Sequence, residues 1–179
     1  MIFSKIKRVV TSIVKSLMVK IIYKDKISLQ TSYTINWRTE IKAIGNGKIL
    51  IGKNLHTRDG CSITSSANLS IGNKVFFNRN CIIACRNNIK IGDGCAFGPN
   101  VCIYDHDHSF SSEGMIPGEY KYDNVIIGKN CWIGAGAIIL KGTTIGDNCV
   151  IGAGAIIKGN IPNNSLAITE KFTRVTELR

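Results

Sequence analysis

The chain has 179 residues, enough to bury a core as one domain of ordinary size. Twenty-three Lys plus Arg against twelve Asp plus Glu give a formal charge of +11, which favours an anionic partner: a phosphorylated cofactor, a nucleic acid or an anionic membrane surface. Seven Cys without a C-x-x-C pair argue against a zinc site, and their odd number with no secretory signal fits a reducing cytosol.

Residues 1–26 form a first unit. Ile2, Phe3, Ile6, Val9, Val10, Ile13, Val14, Leu17, Met18, Ile21 and Ile22 recur at three- and four-residue spacing, the stripe of an amphipathic helix. Lys5, Lys7, Arg8, Lys15, Lys20, Lys24 and Lys26 occupy the other faces, and Lys15 and Lys20 interrupt the apolar run too often for a spanning helix. Two readings stand: a cap that packs this stripe on the next unit, or an interfacial helix lying on anionic lipid.

Residues 27–165 form the second unit. Residues 27–43 hold β-formers (Tyr33, Thr34, Ile35, Trp37) without register, and read as a connecting segment and an irregular first coil. Ile-Gly pairs at Ile51, Ile71 and Ile91 then lie twenty residues apart, and those at Ile127 and Ile145 eighteen apart. The early coils therefore carry two extra residues each, read as a bulged corner. Across residues 124–160 an aliphatic returns at every sixth position: Ile127, Ile133, Ile139, Ile145, Ile151 and Ile157. A period of six fits neither a helix, at about 3.6, nor a half-buried strand, at about 2. It is the period of a coil with three short faces, each turning one aliphatic inward, and such coils must stack to bury it. The fold class is thus all-β, a parallel β-helix, with Gly at corners that a side chain would crowd. Cys95, Cys131 and Cys149 recur at one point of the repeat and read as core thiols.

The pattern fails between Ile103 and Val125, where a polar stretch with Gly114, Pro117 and Gly118 reads as an extruded loop, residues 104–124. Two of the three His, His106 and His108, open it among Asp105 and Asp107. A His beside carboxylates can act as general base; the same spacing also suits a metal, and the bland reading is a solvated side chain. For His56 the bland reading holds. Beyond Asn160 the chain leaves the repeat through Pro162, and a tail, residues 166–179, carries Lys171, Arg174 and Arg179.

Three motifs carry a resemblance: V-F-F-N-R-N-C from Val75, G-P-N-V-C-I-Y-D-H-D-H from Gly98, and I-I-G-K-N-C-W-I-G-A-G-A with its continuation from Ile126 to Lys158. Over about residues 51–166 the chain resembles the hexapeptide-repeat acyltransferases, a left-handed β-helix family using acetyl-CoA or another acyl-CoA. Within it the chain is most similar to the maltose, galactoside and nodulation O-acetyltransferases and those of capsule and O-antigen synthesis. The resemblance implies a homotrimer with active sites between subunits, and a cytoplasmic enzyme that acetylates a hydroxyl of a saccharide, a cell-surface polysaccharide or glycolipid precursor. It makes His108 the general base and places Asn78, Tyr104 and Asp105 with the acceptor. It places Trp132, Ala135, Ala153, Lys158, Lys171 and Arg174 with acetyl-CoA. No Cys or Glu cluster completes a metal site beside the histidines, and the basic residues gather in the helix and tail without interleaved aromatics, so neither metal nor nucleic acid is expected. A non-catalytic β-helix scaffold and an N-acetyltransferase acting on an amino sugar are the alternatives. Two departures stand out: the family's acidic acceptor position falls near Cys85 or Arg86, and its closing G-x-P-A-K-like turn is absent.

Overall fold

A computed structural model describes residues 2–30 and 34–170. Lys171 and Arg174, expected to meet the cofactor, lie outside the described residues. The helix Ile2–Ile22 is followed by a parallel β-solenoid whose faces are one seven-stranded and two six-stranded sheets. Residues of successive coils stack in register, Ile51 on Ile71, then Ile91, Ile127, Ile145 and Ile161.

One string of inward positions builds each coil. From Ile51 it runs Leu55, Thr57, Cys61, Ile63 and Ser65, all buried; steps of two follow a face and steps of four turn a corner. The next coil puts Ile71, Val75, Phe77, Cys81, Ile83 and Cys85 at the same places. In the eighteen-residue coils nothing corresponds to Ser65, Cys85 and Asp105. The two extra residues therefore lengthen the third face, to Ser62–Ser65 and Ile82–Cys85 against Ile138–Ile139, rather than bulging a corner.

Both ends of the repeat extend further than periodicity suggested. Ile27–Leu29 pairs with the strand Lys48–Ile51, Glu40–Ala43 pairs with Ser62–Ser65, and Thr34 bridges to His56, so residues 27–30 and 34–43 belong to a coil in register. Its last corner, residues 44–47, is two residues longer than the matching residues 66–67 of the next coil, which hid the repeat. At the other end Asn160–Ile161 and Leu166–Ala167 stack on the preceding coil, so the solenoid passes residue 165. Pro162 takes the place of the corner glycines there. Each such glycine donates its N–H to the next rung, as Gly128 does to Ile145, and no described rung follows Pro162, so its missing N–H costs nothing.

The corner glycines are dictated by rung spacing. A Cβ on Gly92 would lie 2.5 Å from the carbonyl oxygen of Gly128 in the next rung, closer than backbone can yield. Two residues later the chain turns through positive φ, and Asn54, Lys74, Gly94, Asn130, Asn148 and Asn164 hold that position. Gly92→Ala is expected to cost about 2 kcal/mol by overpacking, read as a lower urea midpoint with unchanged slope. The buried thiols serve corners too: Cys61, Cys95, Cys131 and Cys149 donate to the carbonyls of Asn78, Gly128, Gly146 and Pro162 at 3.0–3.1 Å. Their reading as core thiols holds, with a weak donor added to a small apolar group.

The helix does cap the solenoid, but not with the expected stripe. Among its described side chains Ser12, Ser16 and Val19 are buried, and Ser12 Oγ accepts the N–H of Ile35 at 2.7 Å. Ser16 Oγ donates to the Ser12 carbonyl, and Tyr23 packs against the core at the helix end. Ile6, Val9, Val10, Ile13, Leu17 and Ile21 face outward.

The extruded segment is an ordered hairpin: His106–Ser111 pairs antiparallel with Gly114–Tyr122, with a register shift between His108 and Phe110. Exposure on both sides left it no apolar alternation to read. It springs from the corner between the third and first faces, and the coil resumes at Val125.

Candidate functional site

The hairpin is anchored by one buried carboxylate. The column of inward residues Ser65 and Cys85 ends at Asp105, which is 0% exposed. Its Oδ1 accepts the N–H of Arg86 at 2.8 Å and its Oδ2 that of Asn87 at 2.7 Å. Asp105 was expected to meet the acceptor; it faces the core instead, because the lengthened third face turns every second side chain inward as far as that residue. The neighbouring Cys85 thiol is pushed up to about 12, first by burial and then by the Asp105 charge, so it stays protonated.

His106 Nδ1 lies 3.0 Å from Asp105 Oδ1. With the carboxylate accepting, Nδ1 carries the proton and Nε2 keeps its lone pair. Beside this ring a cavity of about 160 Å³ opens on the third face, where the outward side chains Thr64 and Ala84 are small. Tyr104 stands half-buried on the same face; burial, then the Cys102 thiol, pushes its phenol up to about 12, so it remains a donor. Tyr120 of the second hairpin strand joins the group, its ring 4.7 Å from that of His108 and 5.6 Å from that of His106. The Arg86 guanidinium stacks on Tyr120 at 4.1 Å. Lys141 Nζ meets Asp107 Oδ2 at 3.5 Å, and Asn87 Nδ2 donates to Asn124 Oδ1 at 3.0 Å, tying the hairpin to the coils before and after it. His108 itself is exposed on the hairpin.

A second set of expected residues lies elsewhere. Asn78 stands at the corner between the second and third faces, its Oδ1 accepting the N–H of Arg79. Backbone bonds from Asn78 to Phe97, Gly98 to Ile133 and Gly134 to Ile151 stack that corner rung on rung. Toward the C-terminal end it becomes Gly134-Ala135-Gly136 and Gly152-Ala153-Gly154, with both alanines exposed. A Cβ on Gly98 would lie 2.6 Å from the Ala135 nitrogen, so only minimal side chains fit this edge. Trp132 projects from the adjoining second face, 59% exposed. Lys158 does not join them: Ile157 pairs with Ile139, which sets Lys158 one rung beyond Leu140 on the hairpin's edge.

The expected residues of one chain therefore stand on two different edges of a three-sided prism. The hairpin edge carries Tyr104, His106, His108 and Lys158; the other carries Asn78, Ala135 and Ala153, with Trp132 beside it. Among the described residues no three His, Cys, Asp or Glu side chains converge as a metal site would require. Sequence reasoning named Arg86 only as a departure from the family, passed over Tyr120, which has no motif, and gave His106 no role of its own; the adjacent Asp105-His106 pair was the available signal.

Residues 124–159 match the family of bacterial transferase hexapeptide (six repeats). Over 77 residues this hexapeptide-repeat chain is 46% identical to nodulation protein L of Rhizobium meliloti (strain 1021), covering 43% of this chain and 42% of that protein. The chain thus spans less than half the length of that relative. Among solved structures, a maltose O-acetyltransferase from Clostridium difficile 630 is 29% identical over 84% of this chain and 69% of its own, with a TM-score of 0.55. The N-acyltransferase AntD from Bacillus cereus, in complex with dTDP and 3-hydroxybutyryl-CoA, superposes with a TM-score of 0.71 at 20% identity, covering 87% and 83% of the two chains. At that identity the likeness speaks for the fold alone.

Proposed function

We propose that this hexapeptide-repeat chain is an acyltransferase that moves an acetyl group from acetyl-CoA to a hydroxyl of a saccharide, a precursor of a cell-surface polysaccharide or glycolipid, in the cytoplasm. The observation that carries this reading is the pair of half-sites, an imidazole-bearing hairpin on one edge and an open Gly-Ala-Gly backbone on another. An extended, amide-bearing arm suits the open edge, where side chains end at Cβ and backbone groups stay accessible. Trp132 would flank that arm, and Lys158, with Lys171 and Arg174 from outside the described residues, would offset the phosphates. His108 takes the proton of the saccharide hydroxyl, whose oxygen attacks the thioester carbonyl. The tetrahedral adduct expels the thiolate, and the imidazolium returns the proton to sulfur. No acyl-enzyme forms.

Because the two half-sites occupy different edges, a complete site requires the hairpin edge of one subunit against the open edge of another, as in a homotrimer. Co-expression tests this. Asn78→Ala and His108→Ala are each expected to be nearly inactive alone. Mixed at random in one trimer, about one site in four has both native residues, so about a quarter of the wild-type rate should return. No recovery from verified mixed trimers would remove the shared site.

A second reading of the base is favoured by one contact. His106, not His108, has its Nδ1 on a buried carboxylate, the arrangement that readies Nε2 to accept a proton. The same chemistry serves an amine acceptor, so N-acylation of an amino sugar is the runner-up product.

A further inference from the structure

We propose that the outward face of the N-terminal helix docks this protein on an anionic membrane surface. The helix spends its small polar residues on the solenoid: Ser12 and Ser16 are buried with Val19, and Ser12 holds the Ile35 N–H. The opposite side is an apolar stripe left bare. Ile13 and Leu17 are each 52% exposed and Ile21 is 77% exposed, with Ile6, Val9 and Val10 continuing the face. An amphipathic helix that buries its serines and offers its aliphatics outward is mounted the wrong way round for a cap alone.

The occupant follows from the charge beside that stripe. At the helix end a groove of about 420 Å³ is lined by Lys20, Lys24, Lys26 and Lys48, against Asp25 as its one acid, with the exposed Leu50 at its side. Lysines at headgroup level and aliphatics below suit a bilayer of negative lipids. A second copy docking symmetrically on this face would bring the same lysines together, in a chain whose formal charge is already +11. No described helix is long and apolar enough to cross a membrane, so the helix would lie in the interface plane.

Co-sedimentation of the full chain with vesicles tests this, using phosphatidylcholine alone and phosphatidylcholine with about one-third phosphatidylglycerol. Binding to the anionic vesicles is expected to be at least about tenfold tighter and to weaken with added salt. Ile13→Glu/Leu17→Glu and Lys20→Glu/Lys24→Glu alter exposed positions and should keep the circular dichroism of the parent. Each pair is expected to reduce binding to anionic vesicles about tenfold or more. Equal affinity for neutral vesicles, no binding to either, or undiminished binding by Ile13→Glu/Leu17→Glu would overturn the proposal. So would self-association that Ile13→Glu/Leu17→Glu abolishes while vesicles go unbound; the face would then belong to a second copy.

Discussion

His108→Ala is expected to slow acyl transfer about a thousandfold, within the range that general-base catalysis contributes, while CoA affinity changes less than about twofold. The imidazole acts on the acceptor hydroxyl, whose proton is lost only as the transition state forms. Removing it should therefore lower kcat and kcat/KM together. Steady-state release of free CoA thiol measures the rate, and equilibrium titration with CoA measures the affinity. The core cysteines are buried and should not contribute to the thiol signal while the protein is folded. His106→Ala separates the two readings of the base. If His108 is the base, losing His106 disturbs only the hairpin and should slow turnover by about tenfold. If His106→Ala costs a thousandfold and His108→Ala little, the proton passes to the ring held by Asp105.

Asp105→Ala is expected to destabilise the fold by about 3 kcal/mol, a fall in Tm of roughly 10 °C for a chain of this size. The reason is an unpaired donor count. Arg86 N–H and Asn87 N–H both end on this carboxylate, inside the prism and away from water, and alanine offers neither an acceptor. His106 loses its partner at the same time, so activity should fall along with stability. Asp105→Asn keeps the volume but turns an amide NH₂ toward one backbone N–H, and most of the loss should remain. Ser65→Ala is the control in the same column. Its hydroxyl donates to the Ala67 carbonyl and accepts the Ala67 N–H, both local, and about 1 kcal/mol is expected. Calorimetry on the three variants is sufficient; an Asp105→Ala Tm within two or so degrees of the parent would show that the carboxylate does not hold the corner.

Which parts of this were legible in advance follows from the range of the forces involved. The inward aliphatics at Ile127, Ile133 and Ile139 announced a three-faced coil, because each rung must bury its own short stretch of chain. The positive-φ turns at Asn130 and Asn148 are equally local, but the sequence reading drew only on the glycines. Residues 27–43 obey the same physics, but coil and neighbour lie twenty-two positions apart there, as Ile27 and Ile49 do, and the period was lost. Asp105 was misjudged because its motif suggests a solvent-facing loop. Only the stacking of Ser65, Cys85 and Asp105 in one column shows that it points inward.

What the amino-acid sequence determined by itself is the rung: its three faces, its apolar interior, the glycines that let the next rung approach, and the point where the hairpin leaves. These depend on neighbours a few residues away, so they are written in local spacing. The tertiary structure alone decided which edge of the prism each functional residue occupies, and which side of the helix meets the solenoid. Those outcomes rest on contacts across whole coils, where Ser12 finds Ile35 and Asp105 finds Arg86 and Asn87. A hydrophobic stripe signals that burial would be favourable, but it does not say which surface will do the burying.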